Sequence, residues 1–215
     1  MIGGHTYYGG NGNQNTMFPL EYMYLSQGEG GSYSHLGTLA MDFVGYDANG
    51  RVYRCPYYAP CNLQLVATPD NSNHIYVYTS TVTVNFVDGT SGIFTMMVNH
   101  DNDIYTIGRT VLQGQQLGKT GTYGNGSSTG VGDHVHIEVK KGAWEGLIQN
   151  SQGVWCMKNA DHLYNLFGVN DTVLIETGSY NWQEYPITPT PSGRSGKFPW
   201  FIYANKLRNK RNGVI

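Results

Sequence analysis

The density of glycine is the feature that most constrains what this chain can fold into. Glycine occupies 29 of the 215 positions, and 17 tyrosines lie among many threonine, valine and asparagine residues. Glycine weakens helices and suits tight turns, whereas tyrosine, threonine and valine suit strands. We therefore predict a mainly β protein, with one short helix near residues 160–167 that ends at Gly168.

The overall composition excludes several classes of protein. Hydrophobic residues make up 40 % of the chain and charged residues only 13 %, so it can bury a core and is not a disordered chain. The formal net charge of −2 argues against bulk electrostatic binding to nucleic acid. Residues 206–211 are locally basic, and they form either a solvated tail or a docking segment for a partner. No run of about 18 apolar residues occurs, so we expect no membrane span.

The length and the distribution of residue types predict one main domain with flanking segments. Residues 1–17, rich in glycine and asparagine, are expected to form an exposed N-terminal arm. The main domain is predicted to span residues 18–145. A C-terminal extension, residues 146–215, would contain the short helix and an aromatic and basic tail.

The first residues have neither the basic start nor the apolar stretch of a secretory signal. If the protein acts outside the cell that made it, we expect another route of delivery. Cell lysis, a virus particle and a longer parent chain are the three possibilities.

The three cysteines do not form a recognisable pattern. Cys55, Cys61 and Cys156 are too few for a disulfide framework and lack the paired close spacing of a structural zinc site. A single bridge between Cys55 and Cys61 remains an open possibility.

The clearest predicted hairpin joins residues 81–87 to residues 93–98 through a turn at residues 88–92. The first arm alternates between apolar and polar residues, as a half-buried strand does. His100 lies just past the end of the second arm, where a side chain can project from a rigid scaffold into a site.

Residues 134–139 alternate between polar and apolar side chains and are predicted to form a strand. His134, His136 and Glu138 would share one face of it, because successive side chains of a strand point to opposite faces. Neighbouring positions on one face lie about 6.5 to 7 Å apart, which suits one histidine as a metal ligand and the other as an acid or base beside it. Two exposed histidines on a half-buried strand are an equal alternative for this motif alone.

Further metal ligands are available in residues 34–43. Asp42 lies in an apolar run, where an ionised carboxylate without a partner would be costly. A zinc ion, an arginine or a turn amide could be that partner. Two histidines and one aspartate would leave the fourth tetrahedral position open, which is the pattern of a catalytic zinc and predicts hydrolysis.

The order of His35, Asp42, His100, His134 and His136 resembles that of the lysostaphin-type zinc endopeptidases of the bacterial cell wall. Residues 108–121 resemble the glycine-rich run of that family, and residues 59–60 resemble the segment after its aspartate strand. The resemblance covers roughly residues 20–142 of the chain.

This resemblance implies a site, a fold and a substrate. His35, Asp42 and His136 would bind one Zn2+ per chain, and His100 and His134 would flank the zinc-bound water without binding the metal. One of these two would act as general base and the other would stabilise the oxyanion, and the order is left open. The implied fold is an antiparallel β-sheet with a groove over its middle, and the implied substrate is the cross-linking peptide of bacterial peptidoglycan.

The spacing of the first two ligands departs from the family pattern. Six residues lie between His35 and Asp42, whereas most members have three. On one regular strand, positions seven apart would face opposite ways. Gly37 must therefore help a bend or loop bring both side chains to one metal, or the assignment of His35 is wrong.

The chain also resembles the tail-tip peptidases of bacteriophages that infect Gram-positive hosts. The features that carry this resemblance are the long spacing between His35 and Asp42, the sequence of residues 26–43 and the missing secretory signal. The resemblance implies a location at the virion tail tip or at the bacterial cell wall. There the protein would open the wall when the genome enters the cell. Residues 197–211 are then a candidate for attachment to other tail proteins.

Two other interpretations remain. A cupin-like protein or another zinc hydrolase would also use a His-x-His motif, but it would leave His35 and Asp42 unexplained. An inactive lysostaphin-like domain could bind the cell wall or a partner without cutting. His5, His74 and His162 have no matching partners, and we expect them to be surface or local packing residues.

Overall fold

A computed structural model describes residues 6–20, 24–47, 49–167, 172–177 and 181–186. Strands dominate, which confirms the mainly β prediction. The elements are β1 Gln14–Asn15, β2 Tyr24–Gln27, β3 Met41–Asp47, β4 Gly50–Val52, β5 Pro56–Tyr58, β6 Leu63–Ala67, β7 Tyr76–Ser80, β8 Val84–Asn85, β9 Ser91–Gly92, β10 Phe94–Asn99, β11 Thr110–Val111, β12 Gln116–Lys119, β13 Val135–Lys141, β14 Leu147–Gln149, β15 Trp155–Met157, α1 Leu163–Leu166, β16 Thr172–Thr177 and β17 Asn181–Pro186.

One antiparallel sheet forms the centre of the molecule. Its strand order is β11-β6-β7-β10-β13-β3-β2, and β4 adds to β3. Smaller sheets are formed by β1, β8 and β9, by β5 with β12, by β14 with β15, and by β16 with β17. Strands β10, β13 and β3 are neighbours in the middle of the large sheet, so residues at their ends can meet.

The large sheet is covered on both faces. Val135, Ile137 and Val139 of β13 are fully buried in the main apolar core, which also contains α1 side chains such as Leu163. On the other face, a smaller apolar cluster contains Met157 of β15. Because one face of β13 is fixed in the main core and the strand pairs with β10 and β3, His136 on this strand has a rigid support.

The predicted hairpin at residues 81–98 is wrong in its pairing. Only Val84 and Asn85 pair with residues 91–92, whereas β10 pairs with β7 on one side and with β13 on the other. All six residues of β10 are buried, so its apolar pattern is that of a central strand.

The expected exposure of the N-terminal arm is corrected for residues 14–17. Gln14 and Asn15 pair with β8, and Met17 is fully buried in the core. The helix is shorter than predicted, since α1 spans four residues. Its expected stop at Gly168 and the basic and aromatic tail lie outside the described residues. The division into three regions stays a prediction, although Leu163 and Phe167 from the predicted extension pack into the main core.

A bridge between Cys55 and Cys61 does not form, because Cys61 carries a free buried thiol. Burial alone raises the pKa of this thiol far above its ordinary value. Within the residues that the structure describes, no helix has the length and apolarity needed to cross a membrane.

Candidate metal centre

The pairing of β3 with β13 brings two of the predicted ligands together. Asp42 and His136 are direct cross-strand partners in this antiparallel pair. Cross-strand partners of an antiparallel pair have Cβ atoms about 4.5–5.5 Å apart and project to the same face. The register of two strands that are far apart in the sequence therefore creates this part of the site.

His35 reaches the same place from a loop that precedes β3. Gly37 has a φ of 68°, a left-handed conformation that glycine adopts without strain. The Thr38 amide donates to the His35 carbonyl at 2.9 Å, and the His35 amide donates to the Gly31 carbonyl at 3.0 Å. The loop thus turns at Gly37, as the long spacing between His35 and Asp42 requires.

The three predicted ligand atoms form a nearly equilateral triangle. His35 Nε2 lies 3.2 Å from His136 Nδ1 and 3.2 Å from Asp42 Oδ1, and His136 Nδ1 lies 3.1 Å from Asp42 Oδ1. Tetrahedral ligands at about 2.0–2.1 Å from a zinc ion are separated by about 3.3–3.4 Å. The donor set and its spacing therefore fit a metal ion such as zinc.

Each of the three side chains makes a further contact through an atom that does not belong to the triangle. His35 Nδ1 donates to the Gly28 carbonyl at 3.1 Å, and Gln27 Nε2 donates to Asp42 Oδ2 at 3.2 Å. His136 Nε2 lies 3.1 Å from Glu138 Oε1. Such outer contacts orient metal ligands. The roles of Gln27 and Glu138 are not predicted from the sequence, and only the alternation that puts Glu138 on the face of His136 could have indicated one of them.

The electrostatics of the triangle follow from its short contacts. Burial would raise the pKa of Asp42, but hydrogen bonds from His136 and His35 outweigh burial and hold that pKa well below its ordinary value. Burial would lower the pKa of His136, yet Asp42 and Glu138 raise it to about 10. In the absence of a metal, protonated His136 balances the buried charge of Asp42.

The two remaining predicted histidines lie beside the triangle. His134 precedes β13, and its Nε2 is 3.8 Å from Asp42 Oδ1. His100 follows β10, with its ring centroid 4.4 Å from that of His134 and 6.3 Å from that of His136. All five predicted site residues thus belong to one cluster.

Backbone carbonyls fix the rings of both flanking histidines. His100 Nδ1 lies 2.9 Å from the Tyr123 carbonyl, and His134 Nδ1 lies 2.6 Å from the Gly132 carbonyl. A carbonyl oxygen only accepts, so each Nδ1 carries the hydrogen, and the neutral ring has its lone pair on Nε2. Both rings therefore present an unprotonated nitrogen that does not belong to the triangle.

Burial keeps these two histidines neutral. It is the first cause of the low pKa of His100, about 3, and the neighbouring His134 and His136 lower it further. Burial also lowers the pKa of His134, although Asp42 opposes it. Near pH 7 both rings are therefore neutral, with an unprotonated Nε2.

Gly121 makes room for the two flanking histidines. Its amide donates to the His134 carbonyl at 2.9 Å. A Cβ atom at this position would lie 2.0 Å from the His100 carbonyl oxygen, a distance that real contacts do not show. A side chain here would displace the backbone of one of the two histidines.

The members of the cluster differ in how far they are exposed to solvent. The His35 side chain is 1 % exposed, whereas those of Asp42, His136 and His134 are 12 %, 16 % and 17 % exposed. A ligand can therefore approach from the side of His134 and His136.

The other two histidines that the structure describes, His74 and His162, make local contacts. The His74 ring stacks on Tyr123 at a centroid distance of 3.4 Å, and its Nδ1 lies 2.6 Å from the Asp101 carbonyl. His162 Nδ1 lies 2.5 Å from Glu29 Oε2. His5 lies outside the described residues.

The fold and the cluster together define an antiparallel β-sheet protein with a three-residue site that could hold a metal ion. No protein-family model matches the chain. The chain is 33 % identical over 177 residues to morphogenesis protein 1 of Bacillus phage B103. The match covers 81 % of this chain and 46 % of the phage protein, so the chain spans less than half the length of this curated relative.

Similar solved structures include two peptidases and one pore-forming complex. The first is a zinc-containing peptidase from Vibrio cholerae, with 19 % identity and a TM-score of 0.39, covering 62 % of this chain and 40 % of that one. The M23 metalloprotease pseudoalterin has 17 % identity and a TM-score of 0.40, covering 85 % and 98 %. The SpoIIQ-SpoIIIAH pore-forming complex has 19 % identity and a TM-score of 0.37, covering 66 % and 87 %.

Proposed function

We propose that this protein is a zinc-dependent endopeptidase that hydrolyses the cross-linking peptides of bacterial peptidoglycan. The observation that carries the proposal is the triangle of His35 Nε2, Asp42 Oδ1 and His136 Nδ1, with sides of 3.1–3.2 Å, beside two neutral histidines. Three protein ligands with one open side are the pattern of a catalytic zinc, whereas a structural zinc has four protein ligands.

The three ligands would hold the metal with a single negative charge among them. A bound zinc ion would lower the pKa of water to about 7 and polarise the carbonyl of the scissile bond. Asp42 partly neutralises the ion, and the two imidazoles add no charge when they are neutral. The solvent-facing side of the triangle is where a peptide would bind.

The flanking histidines would handle the protons. Each has its Nδ1 tied to a backbone carbonyl, so Nε2 is the atom that accepts or donates. One of His100 and His134 would accept a proton from the attacking water, and the other would donate a hydrogen bond to the oxyanion once protonated. The two roles are proposed for the pair, and their order is left open.

The biological setting is proposed from the relative. Morphogenesis protein 1 belongs to a bacteriophage, which supports a virion-associated role. We propose that the chain opens the cell wall locally, at the virion tail tip, when the phage genome enters the cell. Residues 197–211, which lie outside the described residues, would attach it to other tail proteins. Deletion of residues 195–215 should then abolish assembly and spare hydrolysis, whereas loss of both would contradict this attachment role.

The test measures zinc content and wall cleavage on the same samples. Purified protein should contain about one zinc per chain and release new amino termini from Gram-positive peptidoglycan. A chelator should stop release, and added zinc should restore it. The His136→Ala variant should lack zinc, and added zinc should not restore its activity.

Two results would contradict the proposal in different ways. Bound zinc without cleavage of several wall types would indicate a domain that binds the wall or a partner without cutting. Absence of zinc from the wild-type protein would refute the assignment of His35, Asp42 and His136 as ligands.

A further inference from the structure

We propose that Glu138 is a positioning residue, which holds the His136 ring with Nδ1 toward the metal and thereby sets the affinity for zinc. The inference rests on the metal assignment of the proposed function and is independent of the substrate. Glu138 lies two residues after His136 on β13, on the same face of the strand. Its Oε1 atom is 3.1 Å from His136 Nε2.

The two nitrogens of the His136 ring face different surroundings. Nδ1 lies 3.1 Å from Asp42 Oδ1 and 3.2 Å from His35 Nε2, whereas Nε2 points to Glu138. A carboxylate oxygen only accepts, so Nε2 must carry the hydrogen of this contact. When a metal replaces the hydrogen that Nδ1 shares with Asp42, the Glu138 contact keeps the other hydrogen on Nε2, so the metal binds the lone pair of Nδ1, the nitrogen inside the triangle.

His136 needs such a device more than His35 does. His35 is 1 % exposed and its Nδ1 donates to the Gly28 carbonyl, so the loop itself fixes which nitrogen faces the metal. The His136 side chain lies at the open side of the site and is 16 % exposed. Without Glu138, Nε2 of this ring would lose its hydrogen bond, and the ring could rotate or exchange tautomers.

Glu138 is itself held rigidly. It is 1 % exposed, and its second oxygen accepts a hydrogen bond of 2.8 Å from the Met157 amide of β15. Met157 packs in the smaller apolar cluster with Val77 and Met97. A buried carboxylate is costly unless it is bonded, and these two donors use one oxygen each. Through Glu138, the packing of Met157 in this cluster thus restrains the position of the metal ligand His136.

Replacement by glutamine tests this geometry with little change in volume. Both donors need an acceptor, whereas a glutamine amide has one acceptor oxygen and one donor nitrogen. In Glu138→Gln, either His136 Nε2 or the Met157 amide must therefore face an NH2 group. Loss of an outer contact of this kind costs about 10–100-fold in metal affinity.

The experiment measures the dissociation constant of zinc alone by competition with a chromophoric chelator, well below the unfolding temperature. Glu138→Gln should weaken zinc binding by about 10–100-fold relative to the wild type. The matched control is Asp161→Asn, because Asp161 also accepts from a backbone amide of β13, that of Lys141 at 2.7 Å, and within the described residues it makes no hydrogen bond to His35, Asp42 or His136. This control should bind zinc as the wild type does.

A second measurement needs no variant. In the zinc-loaded wild-type protein, long-range 15N–1H NMR of the histidine rings should show a hydrogen on Nε2 of His136 and the metal on Nδ1. The opposite assignment would overturn the proposal even if Glu138→Gln did not fold.

The outcomes separate this inference from the proposed function. If the wild type binds zinc and Glu138→Gln binds it equally well while unfolding at a lower temperature, Glu138 only supports β15 and the inference is wrong. If the wild type binds no zinc, the metal assignment fails together with it. If zinc binding weakens but peptidoglycan is not cleaved by the wild type, the inference holds and the proposed enzymatic activity fails.

Discussion

At the scale of single residues, Gly37 determines whether His35 can join the site. Its φ of 68° is strained for any residue with a Cβ, and a Cβ atom would lie 2.6 Å from Gln152 Oε1. We expect Gly37→Ala to destabilise the fold by about 1–2 kcal/mol and to weaken zinc binding, because the loop must shift His35. Urea unfolding and zinc competition on the same sample measure both effects.

Gly89 offers the control for that substitution. It also has a positive φ, 86°, but a Cβ there meets nothing within 4 Å, and it lies in the turn between β8 and β9. Gly89→Ala should lose a similar amount of stability and leave zinc affinity unchanged. Equal zinc affinities for Gly37→Ala and the wild type would show that the His35 loop does not depend on this conformation.

The flanking histidines give a second prediction at this scale. Neither belongs to the triangle, and each has a lowered pKa that burial causes first. We expect His100→Ala and His134→Ala to keep one zinc per chain while kcat falls by about 10²–10⁴-fold, the usual size of acid–base catalysis. Zinc content and initial rates of peptidoglycan cleavage test this.

A pair of results would argue against these roles. If either variant loses its zinc, that histidine acts as a ligand and the triangle is incomplete. If both variants keep zinc and full activity, protons move through other groups, and the histidines serve only to pack the site.

At the scale of elements, the segment after β10 is fixed by a buried carboxylate next to His100. The Asp101 side chain is fully buried and accepts from Arg54 at 2.7 Å, from the Tyr105 hydroxyl at 2.8 Å and from the Lys119 amide at 2.8 Å. Removing one partner of a buried pair costs about 3–5 kcal/mol. We expect Asp101→Ala to lose that amount, as measured by urea unfolding.

Asp103 provides the comparison, since it pairs with the same arginine from the surface. Its Oδ2 lies 3.0 Å from Arg54, but its side chain is 48 % exposed. Exposed pairs contribute about 0–1 kcal/mol, so Asp103→Ala should change stability little. A similar loss in both variants would mean that the Arg54 contacts, and not burial, determine the effect.

Local sequence patterns predict where strands form better than they predict which strands pair. The alternation of residues 134–139 predicts the strand that the structure has as β13. The strand at residues 93–98 was paired with the wrong neighbour, because β10 is buried on both faces and its apolar run carries no information about which strand lies beside it. The pairing with β7 and β13 is decided by the packing of the whole sheet.

The candidate site is likewise predicted only in part. Its five residues were predicted from their order in the sequence and from the family resemblance. The hydrogen bonds that orient these residues are not predicted. Gln27 reaches Asp42 from the neighbouring strand β2, and Met157 reaches Glu138 from the separate hairpin of β14 and β15. Such contacts depend on register and on packing between distant segments, which a local pattern does not contain.

At the scale of the whole molecule, the triangle joins segments that lie far apart in the chain. His35 lies in a loop, Asp42 in β3 and His136 in β13, and the last two are 94 positions apart in the sequence. A metal bound by all three has no comparable site in the unfolded chain. Its binding free energy therefore adds to the free energy of unfolding.

This linkage gives the last prediction. With free zinc at 100 times its dissociation constant, the folded state gains about 2.7 kcal/mol. For a chain of this size, 1 kcal/mol shifts the unfolding temperature by about 2–4 °C, so zinc should raise Tm by about 5–11 °C over the chelated protein. Scanning calorimetry of chelated and zinc-loaded samples measures the shift.

The same scans contain their own control. In His136→Ala the triangle loses one corner, so zinc should raise Tm by much less than in the wild type, whereas the chelator should have no effect. A wild-type Tm that does not respond to zinc would mean that the three side chains form a hydrogen-bonded cluster only. An equal response in both proteins would mean that the stabilising zinc binds elsewhere in the chain.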